Sequence, residues 1–246
     1  MINLIKYGIY IKKKSSIEDF LNQEMDNIFI IIPAYNEADN IKQVIEDLKN
    51  ADYQHIIVVD DESQDNTVEI AKHSKAVVLK HIINRGQGAA LRTGTEYAIM
   101  KEAKVIVHFD ADGQFQVNEI KDIIQPILNN EVDVVFGSRF LQKKSDMPAL
   151  KKYLIMPLAR FVNWWFFDIK LTDPQAGFRA LSLDAAKQIN WQQDRMAHCS
   201  EIMHQVFSQK LKYKEVPITV IYKDFGQKFS GGLKILKEIF IGSFTK

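Results

Sequence analysis

The sequence predicts an α/β fold with a mostly parallel central sheet covered by helices on both faces. Short apolar runs of strand length recur through the first half of the chain. Each is followed by a stretch with helical apolar spacing, and the connections between them are short. In sheets of this kind ligands bind beyond the carboxyl ends of the strands. The acidic and polar clusters of this sequence fall at those ends.

The first strand is the apolar run Ile28 to Ile32, which reads as buried on both faces and stops at Pro33. Asn36, with Asp39 three residues on, reads as a variant capping box opening a helix. The apolar face of that helix is Ile41, Val44, Ile45 and Leu48. His55 to Val59 is the second strand, closing on Asp60 and Asp61, and Thr67 to His73 is the next helix. Ala76 to Leu79 and Val105 to Phe109 are the third and fourth strands, with a long helix from Gly86 to Ala103 between them. Val117 to Leu128 reads as a helix that Pro126 kinks or shortens, and Val132 to Phe136 as a fifth strand.

Beyond Ser138 the alternation stops. Residues 146–170 mix apolar, aromatic and basic side chains, including Lys151, Lys152, Arg160, Trp164 and Trp165. That mixture suits lipid headgroups, and it equally suits a buried amphipathic helix pair. Further helices are expected around Ser182–Ile189 and Met196–Gln209, a strand over Val216–Tyr222, and a last helix from Leu233. The chain divides into an N-terminal extension (1–26) and one domain (27–246). Within that domain a first half runs to residue 109 and a second follows from 110, at the first acidic triplet.

Composition narrows the function. A net charge of +1 argues against a general nucleic-acid partner. A single cysteine, Cys199, makes no internal disulfide and fits a reducing compartment. No apolar run approaches the ~20 residues of a membrane span. The N-terminus has its basic cluster after its apolar stretch, which makes it a poor secretory signal.

Several clusters carry candidate chemistry. Asp110, Ala111 and Asp112 follow a strand directly, and two carboxylates so spaced can share a hard divalent cation, with Gln114 as a third oxygen donor. Such triplets are also common in solvated loops. Phe115 stands where an EF-hand loop needs glycine, which excludes that motif. Pro33, Tyr35 and Glu37 close the first strand and Asp60 and Asp61 the second. A carboxylate there can accept from a ribose hydroxyl or a base N–H, and Tyr35 can lie against a base. Asn84-Arg85-Gly86-Gln87-Gly88 reads as a glycine turn that lets backbone approach a ligand or another loop. His198, Glu201 and His204 recur at three-residue intervals and read as one polar helix face rather than a metal site.

Taken in order, the strand into PAYNE, then VVDDESQDNT, NRGQGAALRTG, DADGQ, GSRF and DPQAGFRAL resemble glycosyltransferase family 2. The look is that of dolichyl-phosphate mannosyltransferases and bacterial polyprenyl-phosphate glycosyltransferases, and it covers residues 28–222. The resemblance implies a GT-A-like fold, with a nucleotide-binding half over 27–109 and a metal and acceptor half over 110–246, and an inverting, metal-dependent hexose transfer from a nucleotide-sugar donor. Pro33, Tyr35, Glu37 and Asp61, together with Asp60, would bind the nucleoside. Asp110 and Asp112 would hold Mg²⁺ or Mn²⁺ against the donor diphosphate, with Gln114 completing the site. Arg139 would meet a phosphate, and Asp173, Gly177, Phe178 and Arg179 match the acceptor-side motif. The late phosphate-reaching lysine would be Lys228 or Lys234.

The implied acceptor is a polyprenyl phosphate, met by a peripheral enzyme at the cytoplasmic membrane face through residues 146–170. Such an acceptor is already ionised and needs no general base. The alternative acceptor is a sugar hydroxyl in surface polysaccharide or lipopolysaccharide synthesis. That reaction needs a carboxylate base, for which Asp173 and Glu201 are the candidates. A nucleotidyltransferase would carry a glycine-rich first loop, and PAYNEADN has no glycine.

Overall fold

The computed structural model describes residues 27–141, 171–173, 175 and 177–221. The extension 1–26, the amphipathic stretch 146–170, Lys228, Lys234 and the helix expected from Leu233 lie outside the described residues. Among the described residues no helix is long and apolar enough to cross a membrane.

Strands β1 (Ile28–Ala34), β2 (His55–Asp60), β3 (Val77–Lys80), β4 (Val105–His108), β5 (Val134–Ser138), β6 (Arg179–Ser182) and β7 (Tyr213–Pro217) form one sheet. Their order is β3-β2-β1-β4-β6-β5-β7. Every pairing is parallel except those of β6, which runs antiparallel to both β4 and β5. The mostly parallel sheet expected from the sequence is therefore present, with one reversed strand set into it.

All residues of β1 and β4 are buried, because helices cover both faces. Side chains alternate between the faces. Ile28, Ile30 and Ile32 enter one core with α1 (Ile41–Asn50), α2 (Thr67–His73) and α4 (Ile120–Leu128). Phe29 and Ile31 enter the other, with α3 (Gln87–Met100), α5 (Leu183–Gln188) and α6 (His198–Ser208).

Three local expectations are corrected. Asn36 does not cap α1: its φ is 55°, and the helix begins at Ile41 after a turn in which the Asn40 and Ile41 amides donate to the Glu37 carbonyl. Asn36 instead joins the loops after β1 and β2, donating to Ser63 Oγ and accepting from the Gln64 amide. The stretch from Val117 opens as a 3-10 turn (Val117–Glu119), and α4 passes through Pro126 before ending at Leu128. The last strand lies at Tyr213–Pro217 rather than over Val216–Tyr222. The later alternation is real in burial, since Ile218 and Val220 are buried, but the ladder with β5 ends where Ser138 meets Pro217.

The reversal of β6 sets up the site. It pairs His108 at the end of β4 with Arg179 at the start of β6. The segment entering β6 therefore arrives at the same rim as the carboxyl ends of β1, β2, β4 and β5.

Candidate active site

On the β1–β2 side of this rim, Pro33 is buried, Glu37 is half-buried and Tyr35 is exposed. Glu37 donates its amide to Thr67 Oγ1 and accepts from Asn40 Nδ2 at 3.0 Å. Asp60 and Asp61 are both buried but differently occupied. Asp61 Oδ1 accepts from His81 Nδ1 at 2.7 Å and the Arg85 amide at 3.0 Å, and its Oδ2 accepts from the Gly86 amide at 2.6 Å. Asp61 thus anchors the loop between β3 and α3. Asp60 Oδ2 accepts from the Ser63 amide, while its Oδ1 is buried with no hydrogen-bond partner. A buried acceptor left unsatisfied is costly unless a ligand or water completes it.

The loop after β4 carries Asp110, Ala111, Asp112 and Gln114. Asp110 Oδ1 accepts from Gln87 Nε2 at 2.8 Å, and Asp112 Oδ1 accepts from the Gln114 amide at 2.9 Å. Burial, and then the neighbouring Asp112 carboxylate, push Asp110 up to about 7. A β-carbon added to Gly177 would stand 3.0 Å from Asp110 Oδ2, so the loop entering β6 lies directly against this carboxylate.

These donors fit a hard divalent cation. Two carboxylates are crowded together, and one of them cannot hold its charge unaided. Among the described residues no group of three His, Cys, Asp or Glu side chains could hold a metal ion. A cation here would take further oxygens from Gln114 or from the substrate.

On the β5–β6 side the carboxylate is closed. Asp173, fully buried, takes a bidentate pair from Arg139: Nε to Oδ2 at 2.6 Å and Nη2 to Oδ1 at 2.7 Å. The Arg139 amide adds a third bond to Oδ2 at 3.1 Å. Glu215 of β7 holds the segment in turn, accepting from the amides of Thr172 and Asp173 and from the Thr172 hydroxyl. Two of the sequence candidates, Arg139 and Asp173, are therefore partners of each other.

Phe178 and Arg179 support this segment from beneath. Phe178 is buried against Phe109 and Phe115, at ring-centroid distances of 5.3 and 5.0 Å. Arg179 is buried, donating to the Gly177 carbonyl and to Cys199 Sγ at 3.1 Å. Burial resists ionisation of the Cys199 thiol, but His198 and then Arg179 outweigh it and hold the group at about 6. His108 lies behind Asp110, hydrogen-bonded through Nε2 to Thr95 Oγ1. Burial first, and Arg179 second, keep its pKa well below the ordinary histidine value.

Glu201 lies on α6, and its Oε2 accepts from the amides of Gln192 and Gln193 at 2.9 and 2.8 Å. It shapes the loop that precedes the helix. The expected polar face of α6 is corrected: His204 is exposed, but His198 is fully buried, its Nδ1 donating to the Arg195 carbonyl oxygen. His198 faces inward against Gly88 of α3, where an added β-carbon would stand 2.8 Å from His198 Cβ. The NRGQG turn meets that same loop, since the Ala89 amide donates to the Asp194 carbonyl.

Two residues of the site escaped the sequence reading. Gln87 sits inside a motif read only as a turn, although a polar side chain at the first position of a helix facing a strand end is a detectable signal. Glu215 gave no signal, being one charge in an alternating edge strand.

Residues 29–189 match Glycosyl transferase family 2. The chain is 36% identical over 234 residues to the UDP-N-acetylglucosamine–dolichyl-phosphate N-acetylglucosaminyltransferase of Methanococcus voltae, covering 87% of this chain and 93% of that protein. It is 25% identical over 223 residues to the polyprenol monophosphomannose synthase of Mycolicibacterium smegmatis, covering 86% and 83%. In structure it resembles glucosyl-3-phosphoglycerate synthase from Mycobacterium tuberculosis in complex with Mn²⁺, UDP and glucosyl-3-phosphoglycerate. The TM-score is 0.70 at 16% identity, covering 95% of this chain and 86% of that one. The fold is GT-A-like.

Proposed function

The chain belongs to glycosyltransferase family 2, and from that premise we propose that it moves a hexose from a nucleotide sugar to a polyprenyl phosphate, with inversion, at the cytoplasmic membrane face. The observation that carries the metal-dependent part is the Asp110–Asp112 pair, in which burial and like charge hold Asp110 at about 7. Such a pair ionises fully when a divalent cation joins it. Mg²⁺ or Mn²⁺ held there would neutralise the charge that builds on the departing nucleoside diphosphate.

The remaining roles follow from the rim. Asp60 is the better nucleoside acceptor of the two neighbours, because Asp61 has both oxygens occupied while Asp60 Oδ1, although buried, has no hydrogen-bond partner and would be completed by a ligand N–H or O–H. Tyr35, exposed beside it, lies over the base, and Pro33 and Glu37 shape that loop. Asp173 acts by positioning Arg139, whose guanidinium orients phosphate oxygens. An acceptor phosphate oxygen attacks the anomeric carbon from the face opposite the diphosphate. The new carbon–oxygen bond forms as the bond to the diphosphate breaks, and no proton needs to move.

That last point favours a phosphate acceptor over a hydroxyl. The two candidate bases are both engaged, Asp173 by Arg139 and Glu201 by two backbone amides. The relatives named for dolichyl and polyprenyl phosphates support the same acceptor class.

The test is a panel of UDP- and GDP-sugars with Mn²⁺ and a short polyprenyl phosphate, read as glycolipid formed. An Asp112→Ala variant and a metal-free sample serve as controls. Product from one donor, absent in both controls, is the expected result. Donor hydrolysis without glycolipid would move the acceptor to a sugar hydroxyl, and failure to bind any nucleotide sugar would overturn the proposal.

A further inference from the structure

Isolated exposed apolar side chains are ordinary on protein surfaces, but a group of them around a site needs a reason. The loop between β3 and α3 presents Ile82 at 92% exposure and Ile83 at 64%. On the loop before α6, Met196 is 44% exposed.

These loops are distant in sequence and fastened in space. Arg85 donates to Asp194 Oδ2 through Nε at 3.2 Å and Nη2 at 3.1 Å, and the Ala89 amide donates to the Asp194 carbonyl at 3.0 Å. Gly86 sits between them at φ 112°, where a β-carbon would lie 2.6 Å from the Asp194 carbonyl oxygen and 2.8 Å from Arg195 Cγ. Asp61 clamps the base of the first loop through the Arg85 and Gly86 amides. The apolar side chains therefore stand on a fixed platform, and Ile83 precedes by three positions the Gly86–Gln87 step that leads to Asp110.

The exposed charges on this platform are Lys80, Arg85 and Arg195; its acidic groups are engaged, Asp194 by Arg85 and Arg92 and Glu62 by the Asn84 amide. Apolar tips ringed by cations match the interfacial layer of an anionic bilayer, where hydrocarbon lies beneath phosphate.

We infer that Ile82, Ile83 and Met196 insert into an anionic membrane surface, with Lys80 and Arg195 at the headgroup phosphates. The inference rests on the polyprenyl-phosphate reading above and supplies its geometry. The rim that carries Asp110 is turned toward the membrane holding the acceptor.

The experiment uses the full chain in flotation with phosphatidylcholine vesicles, with and without phosphatidylglycerol. Wild type is compared with an Ile82→Asp, Ile83→Asp double variant and with Met196→Asp. Turnover of a short, water-soluble polyprenyl phosphate is measured in parallel without vesicles. The double variant should weaken binding to the anionic vesicles by about tenfold or more, and Met196→Asp by less. Both should keep short-acceptor turnover and thermal unfolding close to wild type, since the substituted side chains are exposed.

Wild type that ignores anionic vesicles would overturn the inference. So would a double variant that binds them equally well, or one that loses short-acceptor turnover, which would place the isoleucines in a substrate pocket. Short-acceptor turnover by wild type reads the proposed reaction without any membrane, so the two failures remain distinguishable.

Discussion

Two carboxylates at the same rim, Asp173 and Asp110, show opposite electrostatics. Asp173 receives both arms of Arg139 and a backbone amide, and the segment around it is fixed by Glu215. Asp110 receives one amide from Gln87, faces another carboxylate and is pushed up to about 7. A buried charge completed within the fold is a structural part. One left in deficit is prepared for a ligand that brings the missing charge. The difference separates scaffold from site more sharply than residue type does.

The comparison is most open to attack at Asp173. Asp173→Ala leaves the Arg139 guanidinium, largely buried, without its partner. Such a break should cost about 3–5 kcal/mol, read as a lower urea midpoint with an unchanged slope. A change within error would show that the pair is not structural.

Asp110 should produce the opposite signature. Its folded pKa is raised from 3.8 to about 7, so between those values the folded state binds more protons than the unfolded chain. The stability it contributes is therefore present at low pH and is lost as pH rises through about 7. Metal-free protein should lose about 1–2 kcal/mol over that window, after discounting for partial solvent access. Denaturant titrations at several pH values would detect the slope, and Asp110→Asn should flatten it.

Gln87→Leu sharpens the contrast by removing the side-chain amide that donates to Asp110. Loss of such an outer partner should weaken Mn²⁺ binding by about tenfold, measurable by electron paramagnetic resonance without any turnover. The smallest effect is expected at Glu201→Gln, whose amide oxygen can still accept from Gln192 and Gln193. Turnover should change by less than about threefold, whereas loss of a general base typically costs 10²-fold or more. A drop of that larger size with normal stability would restore Glu201 as a base.

Much of this was legible in residue order. The runs at Ile28, His55 and Val105 lie close to the observed strands, because a strand buried on both faces must be apolar throughout. The helix at Ile41 was visible from its buried stripe, although its start was misplaced onto Asn36. Asn36 has the chemistry of a cap but takes a left-handed conformation to join two loops, and no local pattern records that choice. Asp60 and Asp61 were equivalent as letters. Their hydrogen bonds to residues 63 and 81–86 tell them apart.

The sequence by itself determined the class of fold, the family and the set of polar clusters at strand ends. The fold class and the clusters depend on short runs of neighbouring residues, and the family on the order of such motifs along residues 28–222. Tertiary structure decided which of those polar groups are already satisfied. The antiparallel insertion of β6 between β4 and β5 brings Asp173 to Arg139 and Gly177 to Asp110. Whether a buried carboxylate is closed or open depends on sheet register and on partners far along the chain. It therefore appears only once the strands are in place.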